Sequence, residues 1–444
     1  MKEKILELLN ENNYAEIKKI LIELNDVDIA DILNEFEEEH LLKIFRLLNK
    51  DKATNVFSYL DIDLQQKLIS KLTDKEQVSI IKNLYADDAV DLLDELPSNV
   101  VKKILNNVDK QTRKDINSLL NYPENSAGSS MTVELIDLKA DSTISEALKR
   151  IRKIASIQES IETSYVISND RILLGSVNLK DIILNQPNKK IKNIMDDNVI
   201  SVNTHTDQEE VANIMQDYDL TSIPVTDSEN RLVGIFTIDD IIDILEEETT
   251  EDIEKMAAIV PTEKPYLKLS ILDIYKSRIP WLLLLMISAT FTGKIIQHYE
   301  ESLATYVILT SFIPMLMNTG GNAGGQSSVT IIRGLSLEEI EFKDTLKIIF
   351  KEAKVSILIG ITLALVNFLK LILLDKINLL VSLVVSLTII VTIILAEIIG
   401  CVLPILAKKL KLDPAVMASP FITTIVDAVS LITYFKIATM LLGI

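Results

Sequence analysis

Cysteine and histidine are almost absent from these 444 residues, and their scarcity removes whole classes of function. Cys401 is the single cysteine, so no intrachain disulfide forms and the soluble part need not meet an oxidising compartment. His40, His205 and His298 are scattered, which leaves no imidazole or thiolate cluster of the kind transition metals prefer. An intramembrane metalloprotease would need clustered ligands such as HExxH, and the sequence has none. The opening stretch MKEKILELLNENNYAEIKK lacks the apolar core of a signal peptide, so the N-terminus is expected to stay in the cytoplasm. Basic charge is also scarce over residues 1–274, which hold 53 acids against 31 bases, a net charge of −22; residues 275–444 hold 11 against 14. An acidic half of this kind repels nucleic acid and attracts cations.

What is present divides the chain into soluble modules and a membrane region. Over residues 1–122, short stretches such as DIADILNEFEEEHLLKIFRLL return apolar residues at three and four, which predicts paired amphipathic helices. Units of that size cannot bury their apolar faces alone, so an all-α solenoid is expected. After NYPENSAG the pattern changes to short β runs alternating with helices, and it repeats. SYVISNDRILLGSVNLKDII aligns with SIPVTDSENRLVGIFTIDDII, with Gly175 on Gly234 and Asp181 on Asp240. A nearby offset brings Met131 onto Met195. Each copy reads β, helix, β, β, helix. The duplication resembles a tandem pair of α+β cystathionine-β-synthase (CBS) domains, here 123–190 and 191–245. The resemblance implies that Thr237 and Asp240, in the turn that follows Gly234, could hold the ribose of an adenine nucleotide such as ATP; the first copy has Asn178 at the threonine position.

Residues 246–276 continue as an acidic connecting helix and linker in which Lys255 is the one base before Pro261. Beyond Arg278, five hydrophobic spans are expected over 280–297, 303–332, 345–374, 377–407 and 416–442, each near the ~20 residues that cross a bilayer. Arg333, Lys343, Lys347, Lys351, Lys354, Lys408, Lys409 and Lys411 then share one side, as the positive-inside rule requires. An odd number of spans predicts an extracytoplasmic C-terminus in a multi-pass cell-membrane protein.

A carboxylate at the centre of a lipid-facing helix costs roughly 2.5–3.5 kcal/mol, so such a group faces protein, water or an ion. Glu397 and Asp427 are of this type. Ser419, Thr423 and Asp427 recur every four residues and share one helix face. Pro420 is expected to free a backbone carbonyl beside them. On the preceding polar segment, NTGGNAGGQSSVTIIRGL, Asn318, Asn322 and Gln326 form a second stripe. The glycines Gly320, Gly321, Gly324 and Gly325 would serve helix packing, which does not require the amides. Two polar stripes on two spans suggest an aqueous path, and their oxygens suit a hydrated hard cation such as Mg2+.

NTGGNAGGQSSVTIIRGL and LDPAVMASPFITTIVDAVSLI, with the acidic helix, the CBS pair and the helical N-terminal domain, resemble the MgtE magnesium channel family along the whole chain. The resemblance implies a homodimer with five spans per subunit, a pore on the dimer axis, and closure by cytosolic Mg2+. By position, Asp427 would bind hydrated Mg2+, with Ser419, Thr423, Asn322, Asn318 and Gly321 around it. Regulatory Mg2+ would be held by Asp87, Asp91, Asp207, Asp219, Asp240, Asp243, Glu248, Glu251, Asp252 and Asp413. Asn55 stands where relatives can carry an acid, and Gly325 and Ser419 depart from the commoner family motif. The alternative is a broader transporter of Co2+, Ni2+ or Ca2+.

Overall fold

The computed structural model describes the backbone of residues 1–262, 266–337 and 339–443. It describes their side chains except those of Glu38, Ser156, Lys268, Glu301, Ser302 and Ser419. The chain separates into two compact units, Met1–Leu245 and Glu246–Ile444.

The first unit begins with short helices running from Lys2–Asn10 to Lys110–Leu119. Polar caps start several of them: side-chain oxygens of Asn13, Asn49, Thr73 and Asp109 accept backbone N–H groups of the first turn. Helices pack on their next-but-one neighbours, as Asp26–Asn34 does on Lys50–Ser58 and Ala86–Asp94 on Lys110–Leu119. Their apolar faces form a core through Ile17, Ile29, Phe57 and Leu92, and it continues into Val211, Ile223 and Phe236 of the β region. Burial of these residues is the main term stabilising the unit.

Two three-stranded sheets follow with one topology. In the first, β1 (Asp137–Lys139) runs parallel to β2 (Thr163–Ile167), which pairs antiparallel with β3 (Leu173–Asn178). In the second, β4 (Val202–Asn203), β5 (Ser222–Thr226) and β6 (Leu232–Thr237) repeat the arrangement. Val166 pairs with Gly175 and Val225 with Gly234, and each pairing precedes an irregularity in the ladder. Both glycines are required by close backbone approach, and the approaching segments are exchanged. A Cβ on Gly175 would meet the Asp196 carbonyl oxygen at 2.3 Å, whereas one on Gly234 would meet Met131 Sδ at 2.5 Å and the Thr132 carbonyl oxygen at 2.7 Å. The segment that introduces each copy thus lies against the other copy. Tyr165 Oη and Ser222 Oγ, 2.7 Å apart, join the sheets further.

In the second unit, four described helical segments are long and apolar enough to cross a membrane: Ile271–His298, Phe342–Leu373, Leu379–Lys409 and Pro414–Leu442. The expected second span is interrupted. Residues Glu300–Thr305 are helical, Val307–Phe312 form a 3-10 turn, and a helix then runs from Ile313 to Ser336. At 1.5 Å per residue that helix is ~36 Å long, enough to span, but its glycines and amides dilute its apolar character. Pro420 also departs from expectation. It occupies the first turn of the Ser419–Leu442 helix, where a missing N–H leaves no gap in the ladder, and its carbonyl accepts the Thr424 hydroxyl at 3.1 Å.

Candidate functional site

Three acidic residues of the first unit converge at one place. Asp87 lies in the first turn of the Ala86–Asp94 helix, Asp240 in the first turn of Ile238–Met256, and Glu159 in the connection before β2. One carboxylate oxygen from each falls within 4.8 Å of the other two. Thr237 Oγ1 is 2.7 Å from both Glu159 Oε1 and Asp240 Oδ2. A hydroxyl has one proton, so it cannot donate to two charged acceptors at once. Asp87 Oδ1 and Glu159 Oε2 are buried without partners.

Burial, then the charge of Asp240, push the Glu159 carboxyl up to about 7; burial pushes Asp240 up to about 6. Asp87 is raised well above the usual carboxylate range by burial and then by Asp240. Two further acids crowd the site: Asp88, raised by burial to about 6, and Glu134, raised by burial despite accepting the Thr132 hydroxyl and the Ala86 N–H. Such a group holds protons near neutral pH or exchanges them for a cation.

Asp87 and Asp240 are therefore brought together. Glu159, Glu134 and Asp88 are added to the expected set; no period in the sequence marks Glu159, whose position comes from a connection. Asp91 is exposed one turn beyond Asp87, and Asp243 one turn beyond Asp240, where its charge also raises Asp240. Asp207 and Asp219 do not join the carboxylate group. Asp207 caps the Gln208–Asp217 helix by accepting the Glu209 N–H at 2.9 Å, and Asp219 takes a left-handed backbone, φ 51°, just after that helix.

A second acidic group lies in the membrane unit. Lys255 Nζ is 2.5 Å from Glu251 and 2.6 Å from Asp413, whose other role is to cap the Pro414–Met417 turn through the Ala415 N–H. Asp252 sits beside them, its carboxyl raised by burial and by Asp413, with Lys255 opposing. Met256 packs on Ile332, Ala415 and Ala418 below. Glu248 is half-buried on the same connecting helix.

Within the membrane region the glycine helix, Ile313–Ser336, packs closely enough that a side chain at its glycines would force neighbouring side chains to shift. A Cβ on Gly320 would come 2.7 Å from Thr392 and 2.8 Å from Ser430; on Gly321, 2.9 Å from Thr423. The glycines therefore pack, and Asn318, Asn322 and Gln326 are exposed on the single chain. Asp427 is half-buried on the facing Ser419–Leu442 helix, and its Oδ1 has no partner. The Ser419 side chain lies outside the described residues. This arrangement offers isolated oxygen donors beside a close helix crossing, a setting for a hydrated ion rather than for bond-making chemistry.

Comparison with known proteins agrees with these modules. Family models match residues 313–437 (MgtE, a divalent cation transporter), 24–125 (the MgtE intracellular N domain) and 191–247 (a CBS domain). The magnesium transporter MgtE of Thermus thermophilus is 34% identical over 339 residues, 76% of this chain and 74% of that protein. The Bacillus subtilis protein of the same name is 37% identical over equal shares. The solved cytosolic domain of the Mg2+ channel MgtE in complex with ATP matches with a TM-score of 0.53 and 33% identity, covering 55% of this chain and 100% of that one.

Proposed function

Because this chain belongs to the MgtE family of magnesium transporters, we propose that it is a Mg2+-selective channel for Mg2+ uptake, closed by Mg2+ on its cytosolic side. The observation that carries the proposal is Asp427 Oδ1, buried without a hydrogen-bond partner beside a glycine-packed helix, with no ion pair to Asp427 among the described residues. Asp427 binds the hydrated ion, with Thr423, Ser419, Asn318, Asn322 and the backbone at Gly321 as neutral neighbours. The exposed amide stripe is covered by a second copy in a homodimer. The glycine helix supplies the fifth span, which leaves the C-terminus outside the cell and residues 1–245 in the cytoplasm.

Gating follows from the acidic groups. The domains are a helical solenoid over 1–122, CBS domains over 123–190 and 191–245, the connecting segment 246–276 and the pore domain 277–444. Mg2+ bridging Asp87 and Asp240, with Glu159, and further ions at Asp91, Asp207, Asp219, Asp243, Glu248, Glu251, Asp252 and Asp413, favour a closed state by binding it more tightly than the open one. ATP binds the CBS pair near Thr237 and Asp240, as the match to an ATP-bound relative supports.

Flux into liposomes, with Mg2+ compared against Ca2+, Co2+, Ni2+ and Na+, tests the assignment. Mg2+ should enter fastest, and luminal Mg2+ on the cytosolic face should stop it. Equal Co2+ or Ni2+ entry would favour the broader divalent transporter, and Na+ entry at the same rate would overturn the proposal.

A further inference from the structure

Glu397 has no part in the permeation or gating just described. It lies within the Leu379–Lys409 helix at 3% exposure, and its Oε2 has no hydrogen-bond partner. Ser327 of the glycine helix places its Oγ 3.1 Å from the Glu397 backbone carbonyl and 3.0 Å from Glu352 Oε2 on the Thr345–Leu373 helix. One hydroxyl proton cannot fully serve both acceptors. Among the described residues, Lys343 pairs with Glu341 and Lys370 with Asp375 rather than with Glu352 or Glu397. Near Glu397 the helices touch backbone to backbone, since a Cβ on Gly400 would lie 2.2 Å from the Gly324 carbonyl oxygen. The place is therefore enclosed by three helices, and Asp427 belongs to a fourth.

We propose that Glu352, Glu397 and the Ser327 hydroxyl form a second intramembrane site, within one chain, for a hard divalent cation. Two carboxylates match the charge of one such ion, and the hydroxyl and the neighbouring carbonyl add the neutral oxygens it accepts. A buried carboxylate oxygen with no donor requires a counter-charge or a proton. Glu352, half-buried, gives the route by which an ion reaches Glu397. The ion ties the glycine helix to its two neighbours and so sets the wall on which the Asp427 helix packs.

The test counts bound Mn2+ by electron paramagnetic resonance on the full-length protein in lipid nanodiscs. Glu397→Gln and, independently, Glu352→Gln should each remove one ion per chain, both in the parent and in an Asp427→Asn background; Ser327→Ala should weaken that ion about tenfold. Cys401, buried one turn beyond Glu397, is a built-in reporter: Mg2+ should slow its reaction with a maleimide in the parent but not in Glu397→Gln. If Glu397→Gln does not fold, Glu352→Gln carries the test. An unchanged Mn2+ count in a folded variant of either residue overturns the site and leaves a shared proton as what neutralises the pair.

Discussion

The carboxylates of the two units stand in opposite settings. Around Asp87, Glu159 and Asp240, buried acids crowd one another, and burial first, with neighbouring charge adding to it, raises their pKa values. Asp427 stands apart, with hydroxyls along its helix face and no second acid beside it in the sequence. Crowding stores repulsion that a proton or a cation relieves, so the occupancy of the first group responds to small changes in concentration. An isolated carboxylate binds a hydrated ion less firmly, and conduction requires that the ion also leave. One residue type thus serves sensing where it is packed together and passage where it is alone.

The sharpest way to break this comparison is Asp427→Ala. Mg2+ flux should fall about a hundredfold, equivalent to ~2.7 kcal/mol on the barrier, with the protein still folded by size exclusion. Flux within twofold of the parent would show that the lone carboxylate does not serve passage. Next in size is Gly400→Ala, which inserts a methyl group against the Gly324 carbonyl. Overpacking of this kind costs about 1–3 kcal/mol, and thermal unfolding in detergent should report a lower midpoint; an unchanged midpoint would mean that the helix crossing relaxes freely.

The crowded group predicts a pH effect whose sign is fixed. Burial raises the folded-state pKa of Glu159 from 4.5 to about 7 and of Asp240 from 3.8 to about 6. The folded chain therefore keeps protons that the unfolded chain has released. Their stabilising contribution is complete below about pH 4 and is lost as pH rises through 6 to 7. Without divalent cations, the melting midpoint of the full chain should drop by about 5 °C from pH 5 to pH 8. Mg2+ should restore it at pH 8 and do little at pH 5, where protons already occupy the carboxyls. Glu159→Gln should flatten both dependences, and a Glu159→Gln profile matching the parent would separate this residue from the sensor.

The smallest effect concerns Lys255, whose ammonium already bridges Glu251 and Asp413. In Lys255→Ala, limited proteolysis of residues 246–258 in chelator should accelerate two- to threefold, consistent with the ~0.5 kcal/mol of a partly exposed pair, and Mg2+ should protect by a larger factor than in the parent. Equal cleavage in chelator would mean that this lysine does not substitute for an ion.

Much of the modular plan was legible because duplication leaves a record. Gly175 on Gly234 and Asp181 on Asp240 predicted two copies of one β-helix pattern, and both sheets have it. The acidic site was less legible. As joint cation ligands Asp87 and Asp240 entered only through family resemblance, since they are 153 positions apart in the chain, and Glu159 is placed by a connection that carries no periodic signal. In the membrane region Glu397 stood out among apolar neighbours, whereas Glu352 reads as part of a charged span end beside Lys351 and Lys354. The glycines were visible too, but their partners Thr392, Ala396 and Gly400 come from a helix remote in sequence. Pro420 misled because a proline signals a broken ladder only inside a helix, and the first turn has no ladder to break.

The exchanged segments of the β region also bear on how the chain is made. Gly175 is covered by the backbone at Asp196, and Gly234 by the Met131 side chain and the Thr132 backbone. As the polypeptide leaves the ribosome, Met131 must wait for Gly234, roughly 100 residues later, or about 5–20 s at ~5–20 residues per second. During that interval the first sheet can pair its own strands, but the stretch meant for the second sheet has no surface to lie on. The two copies are therefore finished together, and only after the last strand of the second has emerged.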